Sequence, residues 1–202
     1  MVHTTFHKAS KRFLPELLRR VLFIWMRSHG LDARSSGWKL EGPEAYVARR
    51  IHGNFAFLQA KCRPCIVSAY FRAVWNGWPT SVRMRHMQRN SACCTCKFGC
   101  KGAYDSLEHY ARCKVVWTFF SAPVPSGLGI GRKYKSVDGF LLAQKGMAER
   151  DKVAIALGIY SVSKTLMQVQ QANGDVNFQK LFRLHAKAGM RGSGAYRILK
   201  RT

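Results

Sequence analysis

Apolar residues recur at helical spacing in several parts of the chain. Between Leu14 and Trp25 they fall at intervals of three and four residues, which predicts a helix from about residue 12 to 28. The same periodicity predicts further helices over 44–60, 64–75, 148–171 and 175–189. Asp175 is the predicted N-cap of the last helix, and Asn173-Gly174 marks the end of the one before it.

Few segments alternate apolar and polar residues as strands do, so the predicted fold is mostly α. The stretch SAPVPSGLGIGR is rich in proline and glycine and predicts a hinge. The predicted organisation is a basic helical region, a cysteine-rich module, a Gly/Pro-rich hinge, a C-terminal helical region and a basic, mobile tail, over 1–90, 91–120, 121–135, 136–189 and 190–202.

The charge of the chain is strongly positive. Thirty-four Lys and Arg oppose ten Asp and Glu, giving a formal net charge of +24. The excess is spread along the sequence, so a folded chain repels itself and a polyanion would relieve that repulsion. Nucleic acid, RNA or DNA, is therefore the predicted partner, bound mainly through its phosphates.

The N-terminal 30 residues contain an apolar stretch that charged residues interrupt. It is shorter than the roughly 18 apolar residues of a membrane span and lacks the pattern of a secretory signal. We therefore expect no membrane association and an intracellular location, nuclear or cytoplasmic, with a mitochondrial presequence as the alternative. Disulfides are disfavoured in reducing compartments of this kind.

Five of the seven cysteines lie between residues 93 and 113. Cys93 and Cys96 have the spacing of a metal-binding turn, and His109 and Cys113 are one helical turn apart. Asp105 and Glu108 form a capping-box pattern, which predicts one helix over 104–119. The sequence thus predicts a small CCHC zinc-knuckle-like module, a turn plus a helix, with Cys93, Cys96, His109 and Cys113 as ligands.

Other interpretations of the cysteines stay open. Cys94 or Cys100 could replace one of the four ligands, and Cys62 and Cys65 could form a rival site with Cys93 and Cys96. Disulfides and a Cys/His nucleophile pair are further alternatives. A site with four protein ligands leaves no open position, so the predicted role of zinc is structural.

The motifs of common enzymes are absent from the sequence. Two-metal polymerase chemistry needs paired carboxylates, and the five aspartates include no adjacent pair. The stretch GLGIGR is not a P-loop. We therefore expect that the chain is not an enzyme and is at most an inactive fragment of one.

The cysteine module and the residues before it resemble the zinc-binding region that follows the reverse transcriptase domain of non-LTR (LINE-type) retroelements. The positions that carry this resemblance are Asn76, Pro79, Thr80, Arg83, Cys93, Cys96, Glu108, His109, Cys113 and Trp117. The resemblance implies a retroelement fragment that lacks the polymerase domain, binds nucleic acid, and can contact a reverse transcriptase domain. A protein-interaction domain with a purely structural zinc, or a non-functional remnant, are the alternatives.

Cations near the predicted zinc site are the candidate nucleic-acid contacts, because Lys and Arg bind phosphates. Trp78 adds a candidate stacking surface for a base, with a role in the core as its alternative. The complete predicted set is Arg83, Arg85, Arg89, Lys97, Lys101, Arg112, Lys114 and Trp78.

Overall fold

The structure is a computed structural model, and it describes residues 40, 44–82, 95–123, 127–169, 176–191 and 194–199. In these ranges the chain is mostly helical, which confirms the predicted fold class. The α-helices, numbered α1 to α8, are Glu44–Lys61, Pro64–Val74, Leu107–Tyr110, Lys114–Ser121, Val137–Phe140, Glu149–Val169, Phe178–Met190 and Gly194–Leu199. A 3-10 helix covers Arg132–Tyr134. The predicted helix over 12–28 lies outside the described residues.

Helices α1 and α2 follow the apolar pattern closely. α1 buries Val47, Ile51 and Leu58, at helical spacing. α2 begins with Pro64, whose fixed φ suits the first turn of a helix and whose missing N–H is not needed there. The chain leaves α2 at Asn76, which has a φ of 50°. Asparagine tolerates this left-handed conformation better than most residues.

Helix α6 is the centre of the molecule. Consecutive residues from Val153 to Ile159 are all buried, so the helix has no side that faces solvent along this stretch. α2, α4 and α7 pack around it. Such a helix buries apolar area on all sides, and burial of this kind is the main favourable term in folding.

Helix α7 is amphipathic and lies along α6. Gly189 permits the close approach of the two helices, because a Cβ atom at this position would lie 2.7 Å from Leu157 Cδ1. The cap of α7 differs from the predicted one. The side chain of Asn177, not Asp175, accepts a hydrogen bond of 2.9 Å from the N–H of Lys180.

The predicted mobile tail over 190–202 contains a helix, α8, which the sequence pattern did not predict. Ala195 and Leu199 of this helix are buried, so apolar burial fixes it on the rest of the molecule. Within 190–202 the described residues are 190–191 and 194–199.

Part of the predicted hinge packs against α4. The N–H groups of Leu128 and Ile130 donate to the carbonyls of Phe119 and Phe120, at 3.2 and 2.8 Å, and both side chains are buried. A single hydrophobic cluster includes residues from Val47 to Leu199. None of the described helices combines the length and hydropathy that a membrane span requires.

Candidate metal centre

Three cysteines and one histidine meet beside α3 and α4. The ligand atoms of Cys96, Cys100, His109 and Cys113 all lie within 4.8 Å of one another. Cys96 and Cys113 are buried, and the other two are half-buried. The Sγ atoms of Cys100 and Cys113 are 3.5 Å apart. Zn–S bonds of about 2.3 Å in a tetrahedron place two sulfurs roughly 3.8 Å apart, so the cluster has the dimensions of a metal site.

A tight turn carries the first two cysteines. Thr95 and Tyr104 form an isolated antiparallel bridge, and the N–H of Cys96 donates to the carbonyl of Ala103 at 2.8 Å. Between them, Gly99 and Gly102 have φ values of 80° and 69°. Side chains other than glycine rarely adopt this conformation, so the two glycines allow the chain to reverse within a few residues.

His109 lies on the short helix α3. The side chain of Ser106 caps this helix by accepting a hydrogen bond of 3.1 Å from the N–H of His109. The predicted cap was Asp105, and that prediction is wrong because the Asp105 side chain has other partners. The hydroxyl of Ser106 thus holds the backbone of the histidine directly.

Cys113 lies between α3 and α4 and is the N-cap of α4, with a ψ of 127°. The chain therefore does not continue as one helix over 104–119, as the sequence had predicted. Two short helices with a bend at Cys113 replace it. The indole N–H of Trp117 holds this bend by donating to the carbonyl of Ala111 at 2.7 Å.

Asp105, at the start of the segment that carries His109, is buried, with 1% of its surface exposed. Its carboxylate accepts hydrogen bonds from the N–H and the hydroxyl of Ser81, both at 2.7 Å, and from the hydroxyl of Tyr110. The Tyr110 oxygen also accepts a longer hydrogen bond, of 3.4 Å, from the N–H of Lys97. Asp105 thus connects the segment before residue 83 to α3. Through Tyr110 it also connects to the turn that carries Cys96.

The electrostatics of the cluster favour a cation. A hydrogen bond with the Cys113 side chain lowers the pKa of the Cys96 thiol, and N–H donors such as that of Phe98 add to this shift. The same hydrogen bond, together with burial, raises the pKa of Cys113. A thiolate at one of these two cysteines therefore makes deprotonation of the other less favourable. A bound cation would remove this repulsion, since metal binding displaces the remaining protons.

The imidazole of His109 provides a direct test of the fit. Its Nε2 atom is buried and has no hydrogen-bond partner among the residues that the structure describes. A buried nitrogen without a partner costs free energy. A metal ion held by the three sulfurs would bind this atom and remove the cost. The four residues therefore fit a metal ion.

The predicted ligand set and the observed cluster share Cys96, His109 and Cys113. The fourth member of the cluster is Cys100, which the sequence had offered as an alternate ligand. Cys93 and Cys94 lie outside the described residues, so their place stays a prediction.

Cys62 and Cys65 belong to a different part of the molecule. They lie at the junction of α1 and α2 and are not members of the cluster. Burial raises the pKa of Cys62 to about 12, with a smaller contribution from Cys65.

Several of the predicted phosphate contacts lie close to the cluster in sequence. Lys101, Arg112 and Lys114 are exposed, whereas Lys97 is half-buried. No ion pair reaches the three exposed side chains within the described part of the chain. Arg83, Arg85 and Arg89 lie outside that part.

The structure contradicts the proposed base-stacking role of Trp78. The side chain is 1% exposed, and the centroid of its ring lies 6.0 Å from the ring centroids of both Tyr110 and Phe140. A nucleic-acid base cannot reach a ring that these two side chains cover. Trp78 is a core residue, and it packs the segment before residue 83 against α3.

Phe98 is a residue that the sequence reasoning missed. It lies between Cys96 and Cys100. Its ring packs against those of Tyr110, Phe178 and Phe182, with ring centroids 5.1 to 5.3 Å apart. A single large apolar residue inside a polar turn is the signal that could have identified it. Phe98 packs the cysteine turn against α7.

Comparisons with known proteins add no family to this geometry: no protein-family model, curated protein or solved structure matches the chain. The side chains themselves therefore carry the functional argument.

Proposed function

We propose that this chain is a zinc-stabilised module that binds nucleic acid. The observation that carries the proposal is a partly buried Cys3His cluster with exposed cations close to it in sequence, Lys101, Arg112 and Lys114. The cluster supplies a rigid support, and the cations supply the contacts.

Zinc is the metal that suits these ligands best. Thiolate sulfur and imidazole nitrogen are preferred zinc ligands, whereas calcium and magnesium prefer oxygen. Cys96, Cys100, His109 and Cys113 would fill a tetrahedral coordination sphere. No position is then left for a substrate, so the metal would stabilise the fold and would not take part in a reaction.

The charge of the chain favours nucleic acid as the partner. The net charge is +24, and Lys101, Arg112 and Lys114 have no acidic neighbour that pairs with them among the described residues. Three thiolates, an imidazole and a zinc ion together carry a charge of about −1, which does not neutralise these cations. Phosphates would do so and would release their counterions.

The resemblance to the region after the reverse transcriptase domain of LINE-type retroelements supports the same function. We propose that the module derives from such a protein, in which it would bind template RNA or target DNA beside the polymerase domain. Of the positions that carry the resemblance, Cys96, His109 and Cys113 belong to the cluster. Trp117 hydrogen-bonds the carbonyl of Ala111, two residues before Cys113.

Fluorescence anisotropy with a labelled single-stranded RNA of about 20 nucleotides tests the proposal. The zinc-loaded chain should bind with an affinity that falls steeply as salt rises. Each phosphate contact contributes about 0.7 to the slope of log K against log salt for a single strand. The triple variant K101Q/R112Q/K114Q should make the slope shallower by about 2.

A variant with other exposed lysines replaced, K135Q/K145Q, is the matched control for loss of charge and should keep most of the slope. Binding that does not change with salt would contradict the electrostatic contact. A chain that binds no RNA and elutes identically from a sizing column with and without it would instead be a protein-interaction domain with a structural metal.

A further inference from the structure

Helix α7 carries a row of cations on its solvent side. Lys180, Arg183 and Lys187 are exposed, and Arg191 is exposed directly after the helix ends. The spacings of three and four residues place the three helical cations on one side, because one turn contains 3.6 residues. At 1.5 Å per residue, the row from Lys180 to Arg191 is about 16 Å long.

Negative charge does not interrupt this cationic row. The α7 sequence FQKLFRLHAKAGM contains no Asp or Glu. No ion pair reaches the four side chains from the described residues. Like charges at these spacings repel each other and destabilise a helix. A bound polyanion would offset that cost, whereas water and salt do so only in part.

The opposite side of α7 is fixed against the rest of the molecule. Phe182 is completely buried and packs on Phe119, with ring centroids 5.3 Å apart. Gly189 lies against Leu157 and Tyr160 of α6. The cationic row therefore has a fixed direction, and binding a ligand would not require the helix to become ordered first.

The cationic row begins beside the metal centre. The ring of Phe98, between two cysteines of the cluster, contacts Phe178 in the first turn of α7 at 5.1 Å. The side-chain amide of Gln179 donates to the carbonyl of Val115 at 3.1 Å. Val115 follows Lys114, one of the cations proposed to bind phosphate. The first turn of α7 therefore contacts the segment that carries the first set of cations.

We propose that the cationic row of α7 is a second phosphate-binding surface, along which a nucleic-acid duplex continues from the metal centre. This inference rests on the proposed nucleic-acid binding and extends it to the C-terminal helix. A duplex suits the row because its backbone is stiff and densely charged, so one rigid helix can contact several phosphates.

An anionic membrane is a less suitable occupant. A helix that binds a membrane surface inserts its apolar side between the lipids. The apolar side of α7 is already buried, and Leu184, 56% exposed, is the one large apolar residue of the helix that is strongly exposed. Only the charged side is accessible to a ligand.

Anisotropy with a labelled DNA duplex of about 20 base pairs tests the inference on the full zinc-loaded chain. The variant K180Q/K187Q removes two cations without changing helix propensity much, since Lys and Gln are similar helix formers. Each duplex phosphate contact contributes about 0.9 to the salt slope, so the slope should become shallower by about 1.8.

The double variant K135Q/K145Q removes the same charge elsewhere and should leave the slope close to that of the wild type. Lys135 follows Tyr134, which hydrogen-bonds Asp151 at the first turn of α6, and Lys145 precedes that turn by a few residues. The α7 helix instead contacts α6 near Leu157 and Tyr160.

The possible outcomes distinguish the α7 surface from the proposed function. Equal slopes for K180Q/K187Q and K135Q/K145Q, with a wild type that binds, would overturn the α7 surface and leave the proposed function intact. A wild type that binds neither the duplex nor single-stranded RNA would overturn both. Binding to phosphatidylserine vesicles that K180Q/K187Q abolishes, without an effect on the duplex, would assign the row to lipid and overturn the inference.

Discussion

The helix pair α6–α7 and the cysteine-rich segment 95–113 are stabilised in different ways. α6 buries an unbroken run of side chains from Val153 to Ile159, and α7 packs along it. In segment 95–113 the described regular structure is one isolated bridge and a four-residue helix. A helix of one turn is not stable alone, because its nucleation costs more than its few hydrogen bonds return.

The comparison predicts which part of the molecule would depend on a bound metal. The helix pair has a core that water cannot reach, and the hydrophobic effect stabilises it without a ligand. The segment relies on its cysteines and His109, on the Asp105 hydrogen bonds and on Phe98. Structural zinc contributes on the order of 10 kcal/mol to small zinc-binding peptides, so its loss should affect this segment most.

Removal of the metal should destabilise segment 95–113 much more than the helix pair α6–α7. After chelation, the amides of Cys96 and Ala111, which hydrogen-bond within the segment, should lose protection from hydrogen exchange by about a hundredfold or more. The amides from Val153 to Leu166 should keep theirs. Hydrogen exchange followed by mass spectrometry measures both regions in one sample. Equal loss in both would show that they unfold as one unit, and the contrast would then be wrong.

A matched pair of glycines tests the helical core. A Cβ at Gly158 would lie 2.3 Å from Cζ of the buried Phe120 ring, so Gly158→Ala should destabilise the fold by about 3 kcal/mol. Gly53 lies in α1, and a Cβ added there would meet no atom within 4 Å. Gly53→Ala should therefore stabilise the fold by about 0.5–1 kcal/mol, because alanine is the better helix former. Urea unfolding measures both values.

The essential result is that the two glycine variants change the free energy of unfolding in opposite directions. Helix propensity alone would change it in the same direction at both positions. If Gly158→Ala were also stabilising, α6 would not be packed tightly against α4. Metal content should not differ between the two variants.

The hydrogen bonds of Asp105 give a smaller test, in the other region. Asp105→Asn replaces one acceptor oxygen by a donor that faces Ser81 or Tyr110, so it should cost about 1.5 kcal/mol. Glu108→Gln is the control. Glu108 is exposed on α3, so this variant should change the free energy of unfolding little. Urea unfolding of the zinc-loaded chain reports the difference, and equal midpoints would show that the Asp105 carboxylate does not support the segment.

The sequence predicted the long helices well, because their apolar periodicity is strong. The helices predicted over 44–60, 64–75 and 148–171 agree with α1, α2 and α6 to within about two residues at each end. The predictions failed where tertiary contacts decide the local structure. Asp105 has the pattern of a cap, but its distant partner Ser81 takes the carboxylate and leaves Ser106 to cap α3.

The candidate metal cluster was predictable in the types of its ligands but not in its full membership. Spacing alone offers several pairs of cysteines, and the choice between them depends on the turn that Gly99 and Gly102 form. The bend at Cys113 depends on the hydrogen bond of Trp117, which periodicity does not reveal. Burial of Trp78 depends on Phe140, which lies far along the chain.

The most direct test of the metal centre is the zinc content of the chain, measured by elemental analysis after purification under reducing conditions. We expect about one zinc per chain. Cys100→Ser should abolish it, and Cys62→Ser, at a cysteine that is equally half-buried but outside the cluster, should not. A folded chain without zinc, or a Cys100→Ser variant that keeps its full content, would contradict the proposed site.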